Sequence, residues 1–331
     1  MKKIILIALL LLPAIGLATT EQTTGGNFSA KIEPANPEPN QEVVVTLNSY
    51  SIDLDRSQVS WFINNQAIKQ GVGLKTHTAA VGDLGSSQVW RIVAKGQDGQ
   101  TLQKIITFRP AEVDLIWQAD TYVPSTYQGK ALPTSESAVK MVAIPNIITA
   151  TGRRYDPKEL VYRWEKDFNF MKTQSGFGQD SFTFTSDKLF GSNKIKVIIS
   201  TVDESITTEK SVTTPIRTPF IALYQYNPLT GPIYNNLLSR EINVGAGLFS
   251  IIAEPFYFNR EVIMGDQLNL EWLVDNKPLV LKSPNSRQIT FEGGQTKNQV
   301  NFGIKAVNSQ NTLQNASYDG IIRVTNNESL F

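Results

Sequence analysis

The chain of 331 residues contains no cysteine and a single histidine. The absence of cysteine excludes disulfide bonds, thiolate zinc sites and cysteine nucleophiles together. One imidazole excludes a histidine-rich metal site, because such a site needs several. Acidic and basic side chains are nearly balanced, at 30 and 31, so the chain has no basic excess to neutralise phosphates. We therefore expect no nucleic-acid partner.

An apolar stretch lies at the N-terminus, where two lysines precede residues 4–18 and Pro13 interrupts the run. A basic start, an apolar centre and a small-residue exit are typical of a secretory signal peptide, which we predict over residues 1–18. An uncleaved membrane anchor is the alternative, but 15 residues are fewer than the ~20 that a spanning helix needs. Residues 19–26 form a polar, flexible lead-in. We expect an exported mature chain without a membrane span, located extracellularly, at the cell surface or in the periplasm.

Three tryptophans, Trp61, Trp164 and Trp272, recur at intervals of 103 and 108 residues. Each lies in an apolar, strand-forming segment, and an Asn or Asp follows three residues later. A further strand-forming segment, a polar turn and a closing strand follow each tryptophan in the same order. A repeat of this length corresponds to one domain, since solenoid repeats are about 20–50 residues long.

Short segments rich in β-branched and aromatic residues alternate with turn residues along the whole chain. This spacing predicts antiparallel β-sandwiches, with one helical turn over residues 156–160. Pro110 and either Pro215 or Pro219 would mark the joints, because proline does not donate to a sheet ladder and stiffens a connector. The predicted domains are residues 27–110, 111–215 and 216–327.

The recurring Trp-x-x-Asn/Asp pattern resembles the third-strand signature of immunoglobulin-like domains, whose tryptophan packs between two sheets. Without a cysteine pair, the chain departs from antibody domains and is similar to bacterial Ig-like and PKD-like surface repeats. Residues 34–43 and 117–132 are together similar to uncharacterised exported Ig-like proteins of candidate-phylum bacteria. The resemblance covers most of residues 27–326. It implies an all-β chain of three tandem immunoglobulin-like sandwiches with the three tryptophans as structural core, and it brings no catalytic residue.

The sequence offers no catalytic constellation, so we predict that the protein is not an enzyme and has no cofactor. Gly71-Val72-Gly73 and Gly176-Phe177-Gly178 lack the strand–loop–helix context of a phosphate-binding loop, and we predict turns with positive φ there. No Gly-x-Ser-x-Gly elbow accompanies His77, which we predict to be exposed on a strand.

Two groups of carboxylates could have a chemical role, one in hydrolysis and one in calcium binding. Pairs such as Glu165 and Asp167, or Asp203 and Glu204, would serve glycoside hydrolysis only if two carboxylates faced each other across a cleft, about 5–9 Å apart. We expect them in solvated turns instead. Asp53 and Asp55 would offer oxygen ligands to Ca²⁺ at a domain junction, but the segment lacks the further acidic residues of a full cage. We predict no metal site; the alternative is a calcium site at Asp53 and Asp55.

A set of aromatic residues recurs in the second and third units. Planar rings stack on sugars and on proline-rich chains, so the set is a candidate ligand site. Its recurrence at fixed spacing favours packing within or between domains, and we expect Trp117 and Tyr224 to pack against the end of the preceding domain. The set consists of Trp117, Tyr122, Tyr127, Tyr224, Tyr226 and Tyr234.

These features predict a non-enzymatic exported cell-surface or envelope protein that acts as a structural stalk, an adhesin or an assembly component. One alternative is a carbohydrate- or peptide-binding module that uses the aromatic set, and another is a hydrolase with carboxylates on its sandwich loops. The expected partners are other cell-envelope or surface proteins, with glycans as the alternative. Clustered solvent-facing rings would favour binding, and facing carboxylates would favour hydrolysis.

Overall fold

The computed structural model describes residues 22–24, 28–149, 151–245, 247–283, 285–293 and 299–324. The predicted signal peptide, residues 1–18, lies outside the described residues. Within them the regular structure is almost entirely β-strand, in six sheets. In the same part of the chain, no helix is long and apolar enough to cross a membrane.

The first unit pairs a three-stranded sheet, β2-β3-β6, with a five-stranded sheet, β1-β8-β7-β4-β5, and all pairings are antiparallel. Side chains alternate along β3, so Val43, Val45 and Leu47 face the core while their neighbours face outward, as strand geometry requires. The strands are β1 (Gln22–Thr24), β2 (Phe28–Glu33), β3 (Glu42–Ser49), β4 (Gln58–Ile63), β5 (Gln66–Val72), β6 (Thr76–Ala80), β7 (Gln88–Lys95) and β8 (Thr101–Phe108).

The second unit has sheets β9-β10-β14 and β12-β11-β15-β16, with β13 beside β11. The predicted helical turn at 156–160 is a 3-10 turn over Pro157–Glu159, where Asp156 accepts from the Lys158 N–H and Glu159 bonds back to the Asp156 N–H. The strands are β9 (Glu112–Ala119), β10 (Ala138–Asn146), β11 (Val161–Lys166), β12 (Asn169–Phe170), β13 (Gly176–Phe177), β14 (Ser181–Thr185), β15 (Ser192–Ser200) and β16 (Thr207–Pro215), and a second 3-10 turn spans Lys172–Gln174.

The third unit has sheets β18-β17-β20-β23 and β19-β25-β24-β21-β22, in which β19 runs parallel to β25. A short helix, α1 (Arg260–Met264), was not predicted; its N-cap residue Asn259 makes no side-chain capping hydrogen bond. The strands are β17 (Phe220–Asn227), β18 (Gly231–Leu237), β19 (Glu241–Val244), β20 (Gly247–Phe256), β21 (Leu268–Val274), β22 (Lys277–Pro278), β23 (Gln288–Gly293), β24 (Gln299–Asn308) and β25 (Asn315–Val324).

Three separate apolar cores lie between these sheet pairs, and each contains one repeat tryptophan. Trp61, Trp164 and Trp272 are exposed by 1% or less. The predicted fold class, an all-β chain of three tandem immunoglobulin-like sandwiches, is confirmed. The exact domain boundaries stay a prediction.

Candidate functional site

Each repeat tryptophan is fixed by a hydrogen bond from its ring nitrogen to a backbone oxygen 13 to 15 residues later. A buried indole N–H needs such a partner. In every unit the residue just before the acceptor has positive φ, 74° at Gly73, 69° at Gly178 and 58° at Asn285. The predicted positive φ is therefore present at the second glycine of each Gly-x-Gly, whereas Gly71 lies within β5. The bonds join Trp61 to Leu74 (3.0 Å), Trp164 to Gln179 (2.8 Å) and Trp272 to Ser286 (2.9 Å).

The Asn or Asp that follows each tryptophan opens a tight hairpin, and its side chain also bonds to a neighbouring strand of the same sheet. Asn64, Asp167 and Asp275 have φ of 49°, 49° and 46°, and the residue after each is also positive, which is the two-residue hairpin geometry that Asn and Asp tolerate. Each side-chain oxygen accepts a backbone N–H from the strand that neighbours the tryptophan strand in the sheet (β7, β15 or β24), at 2.9 to 3.3 Å. The Trp-x-x-Asn/Asp pattern is therefore a folding element.

Five of the six candidate aromatics are packed against neighbours. Trp117 lies at the margin of the second core, with the Lys130 ammonium 3.4 Å from its ring centre. It therefore packs within its own unit and not, as predicted, against the preceding one. Tyr122 contacts the third core. Ring contacts join Tyr127 to Phe256 (5.3 Å between centroids) and Tyr224 to Tyr234 (5.2 Å).

A segment of the second unit lies on the third unit; we name residues 120–135 the junction segment. The Tyr122 N–H donates to the Phe258 oxygen (2.7 Å), and the Tyr257 N–H donates to the Tyr122 oxygen (2.8 Å). The Arg260 N–H reaches the Asp120 oxygen (3.2 Å). Tyr257 adopts φ of 64°, an unusual conformation for a bulky residue, which its place in this cross-unit ladder explains.

Side chains reinforce this junction. The Gln314 amide nitrogen donates to the Ser135 oxygen (2.9 Å) and to the Asn259 side chain (2.7 Å), and Gln314 is fully buried. The Tyr127 and Tyr257 hydroxyls lie 3.3 Å apart. Burial, and after it this hydrogen bond, raise the pKa of Tyr257 to about 12. A small apolar cluster of Ala222, Phe256 and Tyr257 with Val123, Leu132 and Tyr224 completes the contact.

A buried carboxylate extends the junction onto the outer face of the third unit. Glu254 on β20 is 4% exposed, accepts from the Tyr234 hydroxyl at 2.7 Å and lies 3.6 Å from the Arg287 guanidinium. Arg287 also lies over the Tyr122 ring, 5.6 Å from its centre. Burial, and after it the bond to Glu254, raise the pKa of Tyr234, so its hydroxyl stays a donor. This network links the sheet to the junction segment.

Tyr226, the sixth aromatic, lines a groove of about 480 Å³. The groove lies where β17, β20 and β23 run side by side, with Tyr226 paired to Ser250 and Ser250 paired to Thr290. Sequence reasoning singled out Tyr226 but missed the polar residues around it, because they are far apart in the chain. The lining residues are Gln225, Tyr226, Asn227, Pro228, Leu248, Ser250, Gln288 and Thr290.

The candidate carboxylates are engaged by basic groups or by backbone. The Asp55 carboxylate contacts the Lys75 ammonium at 2.8 Å, and Asp53 contacts Arg56 at 3.6 Å. Glu165 pairs with Arg163 at 3.2 Å. Among the described residues, no group of three or more His, Asp or Glu lies together as metal ligands would. The calcium candidate therefore receives no support from its surroundings.

His77 is not exposed as predicted; it is partly buried, and its ring packs against two tryptophans of the first core. The ring centres are 5.4 Å from Trp61 and 5.5 Å from Trp90, and the buried Nε2 has no hydrogen-bond partner. Burial, and after it the charge of Lys69, lower the pKa of His77. The alternating sequence predicts a strand but does not say which face is turned inward.

We expect the first sandwich to lose stability as the pH falls below about 6.5, where the unfolded chain binds a proton at His77. The folded state resists that proton because its pKa is lowered, so stability is full above this pH and declines below it. The thermal unfolding midpoint of the first unit should therefore decrease when the pH is lowered from 7.5 to 5.5. His77→Phe should flatten this decline, and an identical decline in both proteins would contradict the interpretation.

No protein-family model and no curated protein sequence matches the chain. Among solved structures, it is similar to the fibronectin(III)-like modules of Clostridium thermocellum CbhA, at 12% identity and a TM-score of 0.28, covering 57% of this chain and 94% of the modules. Three N-terminal domains of the bacteriophage RB49 Highly Immunogenic Outer Capsid protein match at 12% identity and a TM-score of 0.27, covering 90% of this chain and 98% of those domains. The central fibronectin-III array of RIM-binding protein matches at 11% identity and a TM-score of 0.29, covering 95% of this chain and 100% of the array. The sandwich assignment rests on the sheet pairings and cores described above.

Proposed function

We propose that the protein is a non-enzymatic, exported spacer of the cell surface or envelope, whose second and third sandwiches form one stiff body. The observation that carries this proposal is the junction segment, which joins the third unit by backbone pairing, a buried glutamine and an apolar cluster. Default contacts between domains are small and mobile, so a junction of this kind resists bending. The sequence of residues 1–18 supports export.

The joint between the first and second units is of a different kind. Lys210 pairs with Glu38 at 2.6 Å, the Asn36 amide donates to Glu209 at 3.0 Å, and the Arg109 guanidinium donates to the Ser205 oxygen at 3.1 Å. In the described part of the chain, no strand of the first unit pairs with a strand of the second. Lys210 and Glu38 are about half exposed, and exposed ion pairs stabilise by only ~0.2–1 kcal/mol. We therefore infer a softer joint there, so that the protein combines one stiff pair with one hinge.

Distances between spin labels test this proposal, because a chain without cysteine accepts labels at chosen sites. With labels on Thr173→Cys and Lys305→Cys, both exposed, we expect one narrow distance distribution between the second and third units. Combining Tyr122→Ser with Gln314→Ala should broaden it, since both side chains hold the junction.

The matched control is Tyr50→Ser, which removes a ring that is 91% exposed in the first unit and should leave the distribution narrow. A second label pair, on Lys95→Cys and Thr173→Cys, should give a broader distribution across the first joint. A broad distribution between the second and third units of the parent protein would refute the stiff-spacer proposal.

Ligand binding is a second candidate function, favoured by one observation. The junction and the cores engage five of the six candidate aromatics, whereas Tyr226 lines an open groove with hydroxyl and amide groups. Tyr226 is partly exposed there. Tyr127 is the other accessible member of the predicted carbohydrate- or peptide-binding set, at 41% exposed, but its ring packs against Phe256.

A further inference from the structure

The groove lies on the outer face of the sheet β18-β17-β20-β23. Leu223, Ile251 and Ile289 point into the third core, so the residues that alternate with them, Tyr226 and Ser250 among them, point away from it. The junction segment covers the part of this face around Phe256 and Ala222. The groove occupies the neighbouring part, where Leu248 is 78% exposed.

The size of the groove suits a small chain of sugar rings. Its volume of about 480 Å³ falls within the ~300–1,000 Å³ of typical ligand sites. Ser250 is 8% exposed, and its hydroxyl lies 2.8 Å from that of Thr290, which gives the floor a fixed pair of hydroxyl groups. Leu248 and Pro228 add apolar surface at the side.

The chemistry of the lining indicates a neutral ligand rich in hydroxyl groups. None of the eight lining residues carries an acidic or basic side chain. The hydroxyls of Tyr226, Ser250 and Thr290 share the outer face. Gln288, which pairs with Ile252 on that face, adds an amide. Amides and hydroxyls both donate and accept hydrogen bonds, as do the hydroxyls of a sugar. A tyrosine ring offers an apolar plane with a polar edge. We propose that this groove binds a neutral oligosaccharide.

A peptide fits the groove less well. An extended peptide binds by adding a strand to a sheet edge, and a proline-rich one needs a groove lined by several aromatics. The groove lies over the faces of β17 and β20, which pair on both sides, and of the edge strand β23. A strand added to that edge would lie beside β23 and outside the groove, and one of the eight lining residues is aromatic. The proposal is independent of the stiff junction, because the lining residues all belong to the third unit.

The test is a calorimetric titration of residues 19–331 with four neutral hexasaccharides, made of β-1,4-glucose, α-1,4-glucose, β-1,3-glucose and β-1,4-N-acetylglucosamine. We expect at least one of them to bind, and Tyr226→Ala to weaken that binding about tenfold or more, as loss of a central ring does. Gln288→Ala should weaken it as well. Tyr50→Ala, which removes an exposed ring elsewhere, should leave the affinity unchanged.

Three outcomes would overturn the proposal. They are no binding of any hexasaccharide, binding that survives both Tyr226→Ala and Gln288→Ala, and tighter binding of a decaproline peptide that either substitution abolishes. The unfolding temperature of each variant shows whether it is folded. If Tyr226→Ala does not fold, Gln288→Ala decides the test, because its side chain is partly exposed and outside the core. None of these results depends on the distances between labels that test the spacer.

Discussion

Replacing Trp164 with alanine should unfold the second sandwich at temperatures where the first sandwich stays folded. The indole is fully buried, donates to the Gln179 oxygen and packs edge-on against Phe182 at 4.8 Å. Removing such a ring costs about 3–5 kcal/mol in transfer and cavity terms, a large share of the ~5–15 kcal/mol that stabilises a domain. Differential scanning calorimetry of the whole chain should show the second transition lowered by more than about 10 °C.

Trp117→Ala is the matched control, because Trp117 belongs to the same sandwich but is only half-buried at its margin. Its transition should fall by less than that of Trp164→Ala. The third transition should move partway with the second in Trp164→Ala, since the junction segment leaves the third unit when the second unfolds. Equal melting of Trp164→Ala and the parent chain would show that the tryptophan does not hold the core.

The repeated strand and its turn were predictable from the sequence because their causes are local. A tryptophan, and an Asn or Asp three residues later, determine both the ring that fills the core and the residue that tolerates φ near 49°. The hairpin forms within a few residues, so its chemistry is visible in the linear sequence. The same holds for the 3-10 turn, where Asp156 and Pro157 are adjacent.

The junction could not be predicted in this way, because its partners are far apart in the chain. Gln314 and Ser135 are separated by 179 positions, and neither belongs to a recognisable motif. Nothing in the composition of residues 120–135 distinguishes a loop that returns to its own sandwich from one that lies on the next.

The groove illustrates the same limit at the candidate site. The sequence identified six aromatics as one set, but which ring stays accessible depends on which part of the sheet the junction segment covers. Tyr224 and Tyr226 point to the same face of β17, yet Tyr224 packs in the junction cluster while Tyr226 lines the groove. Alternation along a strand predicts which face of the sheet a side chain lies on. Whether the junction segment covers that side chain depends on the three-dimensional packing.

Replacing Gly320 with alanine should destabilise the third sandwich by about 1–3 kcal/mol, the usual cost of overpacking. A methyl group there would lie 2.7 Å from a ring carbon of Phe302 and 2.8 Å from the Arg240 backbone oxygen. That oxygen accepts the Ile321 N–H at 2.7 Å, so it cannot retreat without weakening the pairing of β19 with β25. The third calorimetric transition should fall by at least about 4 °C.

Gly303 provides the comparison that isolates this cause, because it lies on the adjacent strand β24 and is also buried. A methyl group on Gly303 would meet the Asp319 carboxylate at 2.8 Å and backbone only at 3.3 Å. A carboxylate at the end of a side chain can rotate away, and alanine also restricts the unfolded chain more than glycine does. Gly303→Ala should therefore melt close to the parent chain. If it melted as low as Gly320→Ala, general crowding between β24 and β25 would be the cause, and not the fixed oxygen of Arg240.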